Sequence, residues 1–382
     1  MKLSELRTRE SLDERLEATL MACARRDASL GEAVSEGTLE RWYEHPFFSV
    51  FVRKGFCEAG RRYLRAQYQH SPDRKRRVLQ AAAVGVMAVG PVFDRALKAG
   101  LMLPGYAQST EQMWMIGNHR VRRFDFARRR VRVYPKVGFS PEGIRREIAV
   151  RSRLGGKWIQ PILEVHEDVF EEPLLDAVPL DRVPDEVRRA EALDAAAEAI
   201  GWLNRKDSRE LSGAVYIAAR REAYEGLRAR VYARFAGLDL SLVDEMFSRA
   251  EAVIRRAMRV EVGMTHGDFQ PGNVLVSNSS ASGREIWLID WEDAGERATV
   301  YDVMTWHLQS RRPAGLSERV RSFLSRSDVG PFSLSCSAEL AVAMWAVEEW
   351  LWLLEASSRE GISRVPQGLG LQFRELSRFL KA

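Results

Sequence analysis

The sequence contains few cysteines and no long uncharged hydrophobic run. Its three cysteines lie far apart in 382 residues, which excludes a disulfide scaffold and a cysteine-based zinc cluster. The longest hydrophobic run, at 78–93, is interrupted by Gly90-Pro91 and is shorter than the roughly 18 residues that a membrane span needs. The first ten residues have no apolar segment of the kind found in secretory signals. A cytoplasmic location is therefore expected.

Lysine is scarce as well, since 8 of the 58 basic residues are lysine and 50 are arginine. The net charge of +5 is unevenly distributed, because residues 1–136 carry 26 basic and 15 acidic side chains whereas residues 137–382 carry 32 and 38. The basic N-terminal third favours an anionic partner, such as phosphates or lipid headgroups. The alternative is a solvated surface rich in arginine. No nucleic acid partner is expected, because no recognised nucleic-acid-binding module accompanies the charge.

The hydrophobic pattern divides the chain into three segments. The first, 1–105, predicts a helical extension. The second, 106–175, alternates apolar and polar residues and predicts a small sheet, with one helix at 141–154. The third, 176–382, predicts a mainly helical lobe. Leucines recur at near-helical spacing close to the start of the chain: Leu3, Leu6, Leu12, Leu16 and Leu20.

The third segment contains the longest predicted helices. They are expected at 187–204 and 214–257, and the tail, 300–382, is also expected to be helical. Between them, 262–293 predicts a loop and a β-hairpin.

Two short motifs in that loop and hairpin suit phosphoryl transfer. They are HGDFQPGN, at 266–273, and WLIDWE, at 287–292. Asp268 lies in a glycine-flanked loop, which suits a carboxylate that acts on a substrate. Asn273 offers a neutral oxygen and Asp290 a charged one, and together they suit Mg²⁺, which keeps phosphates and waters as its other ligands. A separate aspartate can then orient a hydroxyl group and accept its proton.

In this order, and with Asn273 and Asp290 17 positions apart, the motifs resemble those of the aminoglycoside phosphotransferase/choline kinase group of kinase-like enzymes. The resemblance covers roughly 110–310. It implies an α+β, bilobal protein-kinase-like fold, with a small antiparallel sheet lobe (106–175) that has one helix, a mainly helical lobe (176–382) and here an N-terminal helical extension. It also implies that ATP and Mg²⁺ bind between the two lobes and that Asp268 is the catalytic residue.

The resemblance also implies which residues bind the nucleotide. Lys136 ends a predicted strand and Glu147 lies on the next helix, so the pair would hold the α- and β-phosphates. Backbone groups from Glu172 to Leu174 would contact adenine, and Leu275 would lie under the adenine ring.

Roles are also expected for three further residues near these motifs. Asp302 matches the aspartate that steadies the catalytic loop in that family. His266 is expected to orient the loop rather than to act as a base. Two roles are open for Glu292: contact with the metal, or local capping or pairing with a nearby group.

The sequence departs from the family pattern in two places. Pro135 directly precedes Lys136, and a local irregularity is expected because proline removes a ladder hydrogen bond. The phosphate loop is poor in glycine, with only Gly117 between Gly105 and Gly138. Three arginines there are expected to be solvated strand residues, with phosphate contact as the alternative: Arg120, Arg122 and Arg123.

Two segments leave alternatives open. Trp345, Glu349 and Trp352 share one face of a predicted helix, which suits a cationic substrate held by charge and cation–π attraction. The alternative is a core helix whose glutamate points outward. At 74–93 a basic run precedes an apolar one, which suits contact with an anionic membrane. The alternative there is a buried helix whose charged beginning is solvated.

The sequence therefore predicts an ATP- and Mg²⁺-dependent phosphotransferase, a kinase whose acceptor is a hydroxyl group of a small molecule, sugar or glycan. One alternative is a kinase of aminoglycosides or other cationic metabolites. Another is a catalytically inactive pseudokinase scaffold. Peripheral contact of the basic N-terminal third with the anionic inner face of a membrane is a further expectation.

Overall fold

Two compact units make up the chain. Unit 1 combines Met1–Arg189 with Leu275–Trp287, and unit 2 combines Ala190–Val274 with Leu288–Ala382. The computed structural model describes residues 7, 12–32, 34–45, 48–68, 74–87, 98–106, 109–235, 240–326, 328–359, 371 and 375.

Unit 1 is built on an antiparallel sheet. Its described strands are β1 Val34–Glu44, β2 Val50–Val52, β3 Lys98–Tyr106, β4 Gln112–Ile116, β5 Arg120–Asp125, β6 Arg130–Pro135, β7 Glu164–His166 and β8 Val169–Pro173. Their spatial order is β3-β1-β2-β4-β5-β6-β8-β7, and each neighbouring pair is antiparallel. Aromatic and β-branched residues at alternating positions favour these strands. Strands β4 to β8 confirm the antiparallel sheet predicted for 106–175, but the sheet has eight described strands and is larger than predicted.

Helices cover both faces of this sheet. They are α1 Leu12–Ser29, α2 Glu58–Tyr68, α3 Arg74–Val86 and α4 Glu142–Leu154. Successive strand residues point to opposite faces, so Trp114 packs in one core with the leucines of α1, and Met113 packs in the other. The second core contains Leu64 of α2 and Ile144 of α4.

The prediction that 1–105 is helical is wrong for β1, β2 and β3. These strands belong to the same sheet as β4 to β8, so the sheet continues across the boundary expected at residue 105. The apolar run Val50-Phe51-Val52 is too short for its periodicity to distinguish a strand from a buried helix. The helical prediction is confirmed for α1, where Leu12, Leu16 and Leu20 are buried. Leu3 and Leu6 lie outside the described residues.

A smaller sheet contains the predicted hairpin. Its strands are β9 Ala177–Pro179, β12 Val274–Ser277 and β13 Ile286–Leu288. β12 lies between the other two, and Leu275 is opposite Pro179. The hairpin β12–β13 is as predicted.

Unit 2 is mainly helical, as predicted. The helices from 186 onward are α5 Glu186–Asn204, α6 Gly213–Arg234, α7 Ser241–Ile254, α8 Val300–His307, α9 Leu316–Arg326 and α10 Ala338–Ser358. The small sheet of this unit has the strands β10 Arg209–Leu211, β11 Val260–Thr265 and β14 Gly295–Ala298. The single helix predicted at 214–257 is wrong, because α6 and α7 are separate and Gly237, a weak helix former, lies between them in the sequence. The helical tail is confirmed as far as Ser358.

None of the helices within the described ranges combines the length and the apolar character needed to cross a membrane.

Candidate active site

Buried hydrogen bonds hold the loop that follows β11. His266 is fully buried, and its Nε2 donates to the carbonyl oxygen of Ile289 at 2.9 Å. Its backbone N–H donates to Oδ2 of Asp302 at 2.6 Å, and the Gly267 N–H donates to Oδ1 at 3.0 Å. Burial raises the pKa of Asp302, while His266 and these N–H groups oppose the rise. These bonds agree with the loop-steadying role predicted for Asp302 and the orienting role predicted for His266, and both roles stay predictions.

The turn before Asp268 requires glycine. Gly267 has φ +86°, and a Cβ atom added there would lie 2.0 Å from the carbonyl oxygen of Asp293. No other residue fits both the backbone angle and the space.

Asp268 and Asn273 are joined within the loop. Oδ2 of Asp268 accepts from Nε2 of Gln270 and from Nδ2 of Asn273, both at 2.8 Å. The same Asn273 nitrogen donates to the backbone carbonyl oxygen of Asp268 at 2.8 Å. Because both amide hydrogens of Asn273 point to Asp268, its Oδ1 lies at the opposite end of the amide group.

Asp290 follows β13 in a left-handed backbone conformation, with φ 73° and ψ 56°. Its neighbour Ile289 donates its N–H to the carbonyl oxygen of Asn273 at 3.0 Å and accepts the His266 bond described above. These two bonds hold the segment that carries Asp290 alongside the loop that carries Asn273. Glu292 is half-buried in the turn that follows, and its role stays a prediction.

A residue that the sequence did not point to, Arg311, binds Asp268. Its Nε donates to Oδ1 of Asp268 at 2.6 Å. Its Nη1 donates to Oε1 of Glu349 at 2.5 Å, and its Cζ lies 3.7 Å from the ring centre of Trp352. Burial opposes the charge of Arg311, but Glu349 and Asp268 raise its pKa, so the guanidinium group stays protonated.

The interpretation of the helix that carries Glu349 as a core helix is confirmed, but the outward direction expected for Glu349 is wrong. α10 is a core helix, yet Glu349 is 0% exposed and points inward to Arg311 and to the hydroxyl of Tyr301. The cation beside the carboxylate and the indole of Trp352 is therefore the chain's own arginine. The preceding residue, Glu348, is also buried and pairs with Arg220 at 2.8 Å.

In unit 1, Lys136 and Glu147 are both nearly fully buried. The Lys136 ammonium lies 5.3 Å from the ring centre of Phe139. The Glu147 carboxylate accepts hydrogen bonds from two arginines, Arg120, and Arg151 at 2.9 Å. Burial alone would raise the pKa of Glu147, but the charges of these arginines lower it to about 2.

The expectation that the arginines of β5 are solvated is wrong for two of them. Arg120 and Arg123 are 4% and 2% exposed. Arg120 pairs with Glu147, and Arg123 donates to Oδ2 of Asp27 in α1 at 2.8 Å. Because both guanidinium groups bind buried carboxylates, the alternative of phosphate contact is also disfavoured for these two residues. Part of the basic excess of 1–136 therefore lies inside the fold.

The strand before Lys136 is regular. β5 and β6 pair without a shift of register from Asp125 opposite Arg130 to Arg120 opposite Pro135. The irregularity expected at Pro135 is absent from this pairing, because the proline is the last residue of its strand, where a missing N–H costs least.

The residues proposed to contact adenine lie at the end of β8 and in β12. The Glu172 carboxylate accepts from Nη1 of Arg151 at 2.7 Å, so Arg151 links it to Glu147. The Leu174 N–H donates to the carbonyl oxygen of Arg129 at 2.8 Å and is used within unit 1. Leu275 is half-buried. The adenine contacts stay predictions.

Sequence reasoning missed Arg311 because it lies 43 positions from Asp268 and belongs to no motif. The available signal was Glu349 itself. A carboxylate in an apolar helix needs a charged or hydrogen-bonding partner when it is buried.

Across the ranges that the structure describes, no group of three or more His, Cys, Asp or Glu side chains is arranged to hold a metal ion. A metal at this place would depend on one carboxylate, Asp290, and one amide oxygen, Asn273, together with oxygens from outside the chain.

Comparison with known proteins gives one family match. The model of the phosphotransferase enzyme family matches residues 118–328. No curated protein matches the chain.

Several solved structures are similar to the chain at low identity. The choline kinase of Streptococcus pneumoniae is 13% identical, with a TM-score of 0.43 and coverage of 72% of this chain and 90% of that chain. The ethanolamine kinase of Plasmodium vivax is 10% identical, with a TM-score of 0.44 and coverage of 69% and 81%. An aminoglycoside phosphotransferase bound to ADP and hygromycin B is 14% identical, with a TM-score of 0.44 and coverage of 69% and 93%.

Proposed function

The chain belongs to the phosphotransferase enzyme family, and we propose that it transfers the γ-phosphoryl group of ATP, with Mg²⁺, to a hydroxyl group of a small molecule, sugar or glycan. Membership makes it a small-molecule phosphotransferase with an alcohol group as acceptor. The observation that supports the finer proposal is the orientation of Asn273. Asp268 accepts both of its amide hydrogens, so the amide oxygen that would bind Mg²⁺ lies at the opposite end of the group.

The oxygens of Asn273 and Asp290 fit Mg²⁺. Both are hard ligands, and Mg²⁺ is commonly held by one or two protein oxygens together with phosphates and waters. The left-handed backbone at Asp290 supports a functional role, because such conformations in residues other than glycine cluster at active sites. A bound Mg²⁺ would neutralise the charge of the phosphates.

Asp268 is proposed to orient the acceptor hydroxyl and take its proton. Its Oδ2 already accepts two hydrogen bonds, whereas Oδ1 accepts one, from Arg311, among the residues that the structure describes. A carboxylate oxygen has two lone pairs, so we assign Oδ1 as the atom that receives the proton.

Unit 1 is proposed to supply the nucleotide contacts. Lys136 would bind the α- and β-phosphates. Glu147 would support it with a carboxylate that also holds Arg120 and Arg151. The backbone near Glu172 and the side chain of Leu275 remain the proposed adenine contacts.

Two substitutions separate binding from transfer. ATP with Mg²⁺ at 100 times its dissociation constant should stabilise the wild type by about 2.7 kcal/mol, measured as a rise in melting temperature. Asp290→Ala should abolish this rise. Asp268→Asn should keep it and lose ATP consumption. Asp194→Ala, an exposed position on α5, is the matched control and should behave as the wild type.

The outcomes distinguish an enzyme from a scaffold. If ATP and Mg²⁺ leave the wild-type melting temperature unchanged, the proposal is wrong. If ATP binds but Asp268→Asn consumes it at the wild-type rate, Asp268 is not the catalytic residue and the pseudokinase alternative gains support.

Helix α3 supports a second proposal, contact with an anionic membrane. Val78 and Leu79 are 61% and 69% exposed, although α3 buries Ala83 and Val84 in the core. Exposed apolar side chains beside basic ones suit binding at an anionic lipid surface. The exposed basic residues of this helix are Arg74, Lys75 and Arg77.

Sedimentation with vesicles tests this contact. The protein should bind phosphatidylserine vesicles more tightly than phosphatidylcholine vesicles, and added salt should weaken the binding. Replacing Val78 and Leu79 by serine should reduce it. Val187→Ser, an equally exposed valine on α5, is the control. Equal binding to both lipids would contradict the proposal.

A further inference from the structure

Arg311 uses all of its hydrogen-bond donors within unit 2. A guanidinium group has five N–H bonds. One, on Nε, is donated to Asp268. Nη1 donates to Glu349 and to Oγ of Ser310 at 3.2 Å. Nη2 donates to the carbonyl oxygen of Gly267 at 3.1 Å and to the hydroxyl of Tyr301 at 3.3 Å. Arg311 therefore grips both the side chain of Asp268 and the backbone just before it.

The surroundings of this guanidinium form a binding box for a cation. Glu349 supplies a buried carboxylate, and Tyr301 donates its hydroxyl to the other oxygen of that carboxylate at 2.9 Å. Burial raises the pKa of Tyr301, so the hydroxyl keeps its proton for this bond. Trp352 supplies a ring face 3.7 Å from the Arg311 carbon Cζ. A carboxylate beside an indole face attracts organic cations by charge and by cation–π interaction.

We propose that Arg311 is a positioning residue for Asp268, and that it fills, with the chain's own guanidinium, a box that would otherwise accept the cationic group of an acceptor. The proposal rests on the proposed function for its catalytic part. It also narrows the substrate class of that function, because the acceptor would have no cationic group beside Glu349 and Trp352. A neutral sugar is such an acceptor. It weighs against the aminoglycoside and cationic-metabolite alternative.

The physical reason lies in the geometry of the side chain. Arginine is planar and keeps its charge when it is buried, so a single residue can hold the Asp268 carboxylate, the Gly267 carbonyl group and Glu349 in fixed directions. A lysine has three N–H bonds at one point and cannot reproduce this set. In an Arg311→Lys protein, Asp268 would lose its orientation, while the nucleotide contacts proposed in unit 1 would be unchanged.

The test removes the guanidinium and then adds it back. Arg311→Ala should lower kcat for ATP consumption by on the order of 100-fold with the KM for ATP unchanged. Methylguanidinium should restore kcat saturably and raise the melting temperature of the variant. Tetramethylammonium should also raise its melting temperature. Neither cation should stabilise the wild type. Arg312→Ala, an exposed neighbour, is the matched control and should show none of these effects.

A double variant shows whether the box itself binds the cation. Arg311→Ala with Glu349→Gln lacks the buried carboxylate, so methylguanidinium should neither stabilise nor rescue it. Equal stabilisation of both variants would overturn the proposal, as would a wild-type kcat in Arg311→Ala.

Arg311→Lys keeps the proposal testable if Arg311→Ala does not fold. It should lower kcat without changing the KM for ATP, and a wild-type kcat would overturn the positioning role. If the wild type neither binds ATP with Mg²⁺ nor consumes ATP, the proposed function fails, whereas the melting temperatures with methylguanidinium still decide whether the box exists.

Discussion

The backbone N–H of His266 donates to Oδ2 of Asp302 at 2.6 Å, so a buried carboxylate on α8 fixes the start of the loop that carries Asp268. The other oxygen of Asp302 accepts the Gly267 N–H. Both N–H groups are buried, and a buried donor without a partner costs about 1–3 kcal/mol. Asp302 thus ties the position of the loop to the position of a core helix.

Asp302→Asn should loosen this loop. The amide keeps one oxygen but presents an NH₂ group to the second N–H, so one donor loses its partner. We expect the free energy of unfolding to fall by about 1–3 kcal/mol, and ATP consumption to fall further than ATP binding. Urea unfolding measures the loss of stability, and the rate of ATP consumption is compared with the ATP melting shift, which measures binding. Asp194→Asn is the exposed control, and an Asp302→Asn protein with wild-type stability would contradict the argument.

The sequence predicted the parts of the site that are local. His266, Asp268 and Asn273 lie within eight consecutive residues, and their hydrogen bonds in the loop follow from that proximity. The hairpin leading to Asp290 was also predictable, because its apolar strands are short and clearly bounded. Asp302 was identified through the resemblance to a known family.

The parts that escaped prediction depend on distant pairs. Arg311 lies 43 positions from Asp268, and Arg120 lies 27 positions from Glu147. A basic residue on a strand is usually solvated, and only the fold shows that a buried carboxylate lies beside it. The strands at the start of the chain escaped for a similar reason, since β1 and β2 are defined by pairing with partners rather than by their own pattern.

Asp27 should anchor α1 to the sheet. Its carboxylate is fully buried and accepts from Arg123 and Arg132, both at 2.8 Å, and from the hydroxyls of Tyr106 and Tyr134. Asp27→Asn removes one charged partner from two buried arginines, although Arg132 also pairs with Glu171 at 2.8 Å. We therefore expect the free energy of unfolding to fall by about 3 kcal/mol, the lower end of the range for a broken buried pair. Urea unfolding is the measurement.

Asp13→Asn is the matched control for Asp27→Asn. Asp13 lies on the same helix, but its side chain is 68% exposed and pairs with Arg7 at the surface. Such pairs contribute about 0–1 kcal/mol. Similar losses in the two variants would show that burial of the Asp27 network does not matter.

Arg120→Met should destabilise unit 1, because it removes one of the arginines that neutralise the buried Glu147. Losing one partner of a buried pair costs about 3–5 kcal/mol when the other charge stays uncompensated, and Arg151 should reduce this cost. Urea unfolding at neutral pH measures it. The control is Arg130→Met on β6, where the arginine is 42% exposed; equal losses would contradict the argument.

The same substitution should change the response to acid. A carboxyl group with its pKa lowered to about 2 stabilises the fold above its unfolded value of 4.5, and this stability is lost as the pH falls from 4.5 towards 2. Without Arg120 the pKa of Glu147 rises, so its contribution becomes smaller and disappears at higher pH. Acid unfolding of Arg120→Met should begin at a higher pH than that of the wild type. An unchanged acid midpoint would count against the pairing.

His45 should make the protein less stable in mild acid. Its side chain is 1% exposed, its Nε2 donates to the Ala83 carbonyl oxygen at 3.0 Å, and burial lowers its pKa to about 4. The unfolded chain binds a proton near pH 6.5 and the folded protein does not, so stability falls as the pH drops from 6.5 to 4, by about 3 kcal/mol from this residue. His45→Gln, which can still donate to Ala83, should remove that part of the slope in urea unfolding measured across this range. His166→Gln, at a more exposed histidine, is the control and should keep the wild-type dependence of stability on pH. If His45→Gln also keeps that dependence, groups other than His45 cause the acid sensitivity.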